Sequence, residues 1–197
     1  MVRILGGRLK GRIIKTPQGT QTRPTTSLLR KALFDILQDK IEGARFLDLF
    51  AGSGAIGIEA LSRGAQHVTF VESHRDAFSC IQKNLFLFQL HSQATSFFLD
   101  TFKALKKLEM QKQHFEIIYA DPPYFSALIH RLLNFLNFSS LLSKNALLFI
   151  EKPLTPCRWD HHFHNLILID ERRFGSSFLD QYRKVSDLLP SPSVDNS

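Results

Sequence analysis

Residues 46–60 read "FLDLFAGSGAIGIEA". The run up to Phe50 is apolar and β-forming, interrupted by one carboxylate, Asp48. Gly52, Gly54 and Gly57 follow at GxGxxG spacing, and "IGIEALSRG" then suits a helix stopped at Gly64. A strand that turns through glycines straight into a helix is the opening unit of a parallel α/β sheet, and the rest of the chain repeats the rhythm.

On the C-terminal side, "HVTFVE", "TSFFLD", "FEIIYAD" and "NALLFIEK" read as strands. Helical stretches "HRDAFSCIQKNLFLFQL", "TFKALKKLEMQ" and "SALIHRLLNFLN" separate them. Alternation of this kind predicts a parallel sheet covered on both faces. "NLILIDERRF" and "SFLDQYRK" are joined only by "GSS", too short for a parallel crossover, so they form an antiparallel hairpin. The expectation is an α/β fold with seven sheet strands, five of them alternating with helices. "NLFLFQL" is apolar on several faces and reads as a buried helix; most of the 18 phenylalanines are assigned to the core.

On the N-terminal side, "RIL" and "RIIK" flank a glycine-containing turn and read as a small β-hairpin. Thr25, Thr26 or Ser27 can then cap a helix over about residues 26–40 that buries Leu29, Leu33, Ile36 and Leu37. The domain expectation is a basic hairpin extension over 1–24, a main domain over 25–187, and a Pro/Ser-rich tail over 188–197 with little to bury.

The net charge is +7, and residues 1–34 hold eight Lys and Arg with no Asp or Glu. The remainder carries all 18 acidic residues and is close to neutral. So concentrated a cationic block is the footprint of a nucleic-acid backbone. No apolar run approaches a membrane span, the N-terminus lacks a secretory h-region, and Cys80 and Cys157 lie far apart. A reduced, cytoplasmic protein, expected to be a monomer with no membrane partner, is the simplest reading.

Ligands of open α/β sheets bind at the carboxyl ends of the strands, where the strand order reverses. Glu72 closes the second sheet strand, about 20 residues past the glycine turn, and suits ribose hydroxyls. Asp100 closes the third, where it can accept from an adenine amino group or simply cap the next helix. NAD and S-adenosylmethionine both fit these acids. Asp48, inside a strand that is usually uninterrupted in dinucleotide-binding sheets, leans toward a cationic ligand such as S-adenosylmethionine.

The fourth strand ends in Asp121-Pro122-Pro123-Tyr124. Two prolines remove two backbone donors and leave an edge that only accepts hydrogen bonds. That edge matches an exocyclic NH2 group, and Tyr124 adds a flat face for a base. The lone pair of such an amine is delocalised into its ring, so holding it toward a methyl donor is most of the help a protein can give.

Residues 45–124 resemble class I S-adenosylmethionine-dependent methyltransferases of the amino-methylating type. Together "RILGGRLKGR", "TRPTT", "LRKALFDIL", "FLDLFAGSGAIGIEALSRGA" and "DPPY" resemble the bacterial family that methylates guanine N2 in 16S ribosomal RNA. The resemblance implies a seven-stranded, mostly parallel Rossmann-like methyltransferase sheet with an antiparallel C-terminal hairpin, plus the N-terminal hairpin and helix. It implies that Asp48, Phe50, Gly52, Ser53, Gly54, Glu72 and Asp100 hold the cofactor. Asp121, Pro122, Pro123 and Tyr124 would hold the target base, and Arg3, Arg8, Lys10, Arg12 and Arg23 the RNA phosphates. The implied partner is ribosomal RNA in a small subunit or its assembly intermediate. His74 stands where the family more usually has an acid or amide. An adenine-N6 DNA methyltransferase shares DPPY and is the runner-up, and an NAD-dependent oxidoreductase is the more distant alternative. His161, His162 and His164 lack a ligand spacing for a metal, and none is expected.

Overall fold

The computed structural model describes residues 2–17, 26–123, 126–154 and 163–185. Tyr124, Arg23, His161, His162, Cys157 and the tail over 188–197 lie outside them. The chain begins with the expected hairpin, β1 (Val2–Arg3) against β2 (Ile13–Ile14), antiparallel with Val2 opposite Ile14. Helix α1 (Ser27–Ile36) is capped by Thr26, whose hydroxyl accepts from the Leu29 amide at 3.2 Å. It is shorter than the pattern suggested. The amides of Lys40 and Ile41 both turn back to the Leu37 carbonyl, and this bend carries Ile41 into the core.

The alternation then runs as the sequence predicts: β3 (Arg45–Leu49), α2 (Ala55–Ser62), β4 (His67–Glu72), α3 (Arg75–Leu87), β5 (Ala94–Phe98), α4 (Thr101–Met110), β6 (Phe115–Ala120), α5 (Ser126–Phe138), β7 (Leu142–Pro153), β8 (Leu166–Phe174) and β9 (Ser177–Lys184). The sheet order is β5-β4-β3-β6-β7-β9-β8, parallel except where β9 pairs with β7 and β8. The order reverses between β3 and β6, so the ligand crevice of an open α/β sheet opens at the carboxyl ends of these strands. No helix among the described residues is long and apolar enough to cross a membrane.

Alternating side chains send each strand into two apolar layers. Phe46, Phe70, Ile117 and Phe149 face the hairpin, α1, α2 and α3. Leu47, Leu49, Ile118 and Leu148 face α4 and α5. Gly57 lets α2 lie close to the sheet, since a Cβ there would stand 2.3 Å from the Phe70 ring. The C-terminal end of α3 departs from expectation. Leu85, Phe88 and Leu90 are buried, but Phe86 and Leu87 point outward. An all-apolar run hides which of its faces meets the sheet.

The basic hairpin is built into the body. Val2, Ile4 and Ile14 share the core with Leu29 and Leu33. Its turn docks on the end of α2: the Arg8 amide donates to the Ser62 carbonyl at 2.8 Å, and the Ser62 hydroxyl donates to the Gly6 carbonyl at 2.6 Å. Gly7 has φ +74° and an added Cβ would lie 1.9 Å from the Ser62 carbonyl oxygen. Left-handed backbone costs a non-glycine residue about 1–2 kcal/mol and overpacking about 1–3 kcal/mol. We therefore expect Gly7→Ala to undock the hairpin and lower the melting temperature by about 8 °C, at 2–4 °C per kcal/mol for a chain of this size. An unchanged thermal melt would contradict this docking.

Candidate active site

Four strands deliver carboxylates to the crevice: Asp48 inside β3, Glu72 at the end of β4, Asp121 just past β6 and Glu151 near the end of β7. Asp48 is fully buried beneath the glycine loop, and its Oδ2 accepts from the Gly57 amide at 2.9 Å. Burial pushes its pKa well above the usual carboxylate range. The Gly57 hydrogen bond opposes that shift, and the nearby charges of Glu72 and Asp121 add to it.

Glu72 is a loop organiser. Its Oε2 accepts from the Gly52 amide at 2.7 Å, and its Oε1 accepts from the Ser73 and His74 amides, each at 2.7 Å. One acid thus ties the glycine loop to the turn after β4. The loop itself is strained at Phe50, a non-glycine residue with φ 57°, and continues with positive φ at Gly52 and Gly54. Strain of that kind persists where the surroundings over-determine it, commonly at functional sites. The Gly54 amide donates to the Ala51 carbonyl at 2.8 Å. The amides of Gly52, Gly54 and Gly57 are therefore all engaged within the protein.

Asp100 caps α4, with Oδ1 accepting from the Phe102 and Lys103 amides at 3.0 and 3.2 Å. Asp121 is half-buried, and its amide lies 3.4 Å from the Leu49 carbonyl, beside the carboxyl end of β3. Burial first, then the neighbouring Glu151 charge, raises its pKa well above the usual range. Pro122 is buried and Pro123 exposed. Among the described residues no Lys or Arg pairs with Asp48, Glu72 or Asp121, so the crevice concentrates negative charge in a low-dielectric setting.

Two residues outside the sequence reading, Glu151 and Asn84, adjoin this site. Glu151 accepts from the Tyr119 hydroxyl at 2.9 Å and faces Asp121 across neighbouring strands. The strand-end rule that singled out Glu72 applies equally to "LLFIEK" and could have found it. Asn84, fully buried in α3, donates to the Ser53 carbonyl at 3.0 Å and the Lys15 carbonyl at 2.9 Å, and accepts from the Lys15 amide at 2.8 Å. It clamps the glycine loop to the chain leaving the hairpin. A lone amide among apolar neighbours was the available signal.

Of the cations expected to meet RNA, Arg3, Arg8, Lys10 and Arg12 are surface residues of the hairpin region. Arg3 donates to the Gly11 carbonyl at 3.1 Å, and the Arg12 guanidinium lies 5.5 Å from the Phe88 ring centroid. Arg30, which is not among those expected to meet RNA, points inward. It pairs with the buried Glu59 at 3.4 Å and donates to the Arg3 carbonyl at 3.0 Å.

A family model described as conserved hypothetical protein 95 matches residues 2–183. The ribosomal RNA small subunit methyltransferase D of Escherichia coli K12 is 34% identical over 173 residues, 82% of each chain. Its namesake in Buchnera aphidicola from Acyrthosiphon pisum is 36% identical over 149 residues, 76% of each. The solved structure of Escherichia coli yhhF superposes with a TM-score of 0.82 at 32% identity, covering 93% of this chain and 98% of that one. The chain belongs to the conserved hypothetical protein 95 family and, with these relatives, to the small-subunit ribosomal RNA methyltransferase family.

Proposed function

We propose that this protein transfers a methyl group from S-adenosylmethionine to the exocyclic N2 amine of a guanine in small-subunit (16S) ribosomal RNA. Its relatives make it an RNA methyltransferase. The single observation that supports the finer reading is the acceptor-only edge at Asp121-Pro122-Pro123, opening on a crevice whose other polar groups are carboxylates.

The crevice fits a cationic cofactor. A pyrophosphate needs the loop amides as donors, but Gly52 and Gly57 already donate to Glu72 and Asp48. A phosphate there would also face three carboxylates. This argues against NAD and for a ligand carrying an ammonium and a sulfonium, whose charge Asp48 stabilises. When bound, S-adenosylmethionine supplies an electrophilic methyl group. Asp48 and the Phe50–Gly54 loop would hold its methionine part, the remaining lone-pair direction of Glu72 Oε2 its ribose, and Asp100 Oδ2 its adenine edge.

Asp121 holds the guanine amine by accepting one N–H, which orients the nitrogen toward the methyl carbon. The methylated nitrogen is cationic, and Asp121 would take a proton from it and pass it to solvent. A carboxylate with raised proton affinity suits that step. The role given to Tyr124, a stacking face for the base, rests on its place in the sequence. Arg8, Lys10 and Arg12 would grip phosphates of RNA in a small subunit or its assembly intermediate, with the protein acting as a cytoplasmic monomer.

Adenine N6 in DNA would suit the same edge. The cationic hairpin and the named relatives favour RNA. Incubation with labelled cofactor should put label into 16S RNA or small subunits and none into duplex DNA. Label in duplex DNA alone would overturn the reading.

A further inference from the structure

The outer face at the C-terminal end of α3 is unexplained by the crevice. Lys83, Phe86 and Leu87 lie at i, i+3 and i+4 and so share one helix face. Phe86 is 76% exposed and Leu87 42%. Leaving a phenylalanine in water forgoes the gain of burying it, and this ring has one aromatic neighbour among the described residues. The His91 ring meets it edge-on, 6.2 Å between centroids at 61°. Hairpin cations reach the segment that continues from this face. Arg12 holds the hairpin against Phe88 in the same helix end, and Arg8 donates to the Gln93 side chain at 2.5 Å, two residues past His91.

We infer that the exposed α3 corner, centred on Phe86, is a stacking platform for an unpaired base of the RNA whose phosphates the hairpin grips. A flat exposed ring, with a lysine on its own helix face and hairpin arginines on the adjoining segment, matches the design of single-strand RNA sites, where aromatic faces take bases and cations track the backbone. Duplex RNA keeps its bases stacked and cannot use the ring. The inference rests on the RNA reading of the hairpin and adds a contact outside the methyl-transfer crevice.

The test uses the full chain and two labelled probes, an unstructured single-stranded RNA and an RNA duplex of equal length, in a salt series. Phe86→Ala should weaken single-strand binding about tenfold, as expected for one lost base stack. Duplex binding and the salt slope should not change, because no phosphate contact is lost. Phe86→Trp should keep the affinity. Lys83→Ala should instead reduce the single-strand salt slope by roughly 0.7. Calorimetric binding of S-adenosylmethionine by Phe86→Ala should match the parent, which separates this platform from the crevice. Equal affinity of Phe86→Ala and parent for the single strand would overturn the inference, as would an equal loss on both probes. Concentration-dependent self-association abolished by Phe86→Ala, with RNA affinity intact, would assign the face to a second copy of the chain and overturn it too. A parent that binds neither probe would remove the RNA reading itself, and the platform with it.

Discussion

Asp121→Ala should bind S-adenosylmethionine as the parent does and transfer methyl at least about a hundredfold more slowly. General acid–base and orienting groups of this kind are worth about 10²–10⁴ in rate. The cofactor's cationic part is assigned to Asp48 and the glycine loop, so losing Asp121 leaves that binding in place. Asp121→Asn, which keeps an acceptor oxygen but not the charge, should fall between the two. Single-turnover rates with calorimetry on the same samples read both quantities, and full activity in Asp121→Ala would remove the residue from its role.

The same residue sets a pH dependence. Only ionised Asp121 can accept the proton, so the rate should rise with pH through its elevated pKa. Burial, chiefly, and then the Glu151 charge cause that elevation. Glu151→Gln preserves an acceptor for the Tyr119 hydroxyl and removes the repulsion. The acid limb should therefore move to lower pH. Stability runs in the opposite sense. Asp48 and Asp121 both bind protons more tightly folded than unfolded. Their stabilising contribution is full below the unfolded carboxylate value of about 4 and is lost as pH rises through the raised values. At neutral pH the site thus weakens the fold, and a bound cation should restore what ionised Asp48 costs.

The largest expected stability effect lies behind the site. Glu59 is fully buried in α2, and pairs with Arg63 at 2.8 Å and with Arg30 at 3.4 Å, itself only 3% exposed. Arg30 also holds the Arg3 carbonyl, so one guanidinium joins hairpin, α1 and α2. Burial pulls the Arg30 pKa down, and Glu59 and then Tyr119 oppose that shift. Glu59→Ala strands this buried cation. Breaking a buried pair from one side costs about 3–5 kcal/mol, a fall of roughly 10 °C in melting temperature for a chain of this size. The double variant Arg30→Met/Glu59→Leu should recover most of the loss, because matched apolar residues often replace a buried ion pair without penalty. A melting temperature of Glu59→Ala equal to the parent's would contradict the joint.

The strands were legible because charge and glycine punctuate them. "HVTFVE" and "SFLDQYRK" coincide with β4 and β9. Helix α1 was overextended because its apolar spacing continues into Leu37, where the chain bends through turns. At α3, apolar residues on several faces left the buried side undetermined, and Phe86 stands outside. Strand-end position singles out Glu72 and Asp121, and a break in an apolar strand singles out Asp48, but neither signal says what their oxygens hold. That Glu72 accepts three amides, and that Asn84 reaches a residue 69 positions away, depends on side-chain direction in three dimensions. No local pattern encodes it. The N-terminal block of eight Lys and Arg is not all surface: Arg30 is spent inside, where its guanidinium serves as a structural joint.

On the proposed function, the acceptor-only edge delivers a guanine amine in small-subunit RNA to the methyl donor. Identification of the modified nucleoside tests it most directly. After reaction with labelled S-adenosylmethionine, 16S RNA or small subunits are digested to nucleosides and separated. The label should run as N2-methylguanosine. Label in N6-methyladenosine, or in a ring-methylated or ribose-methylated nucleoside, would contradict it.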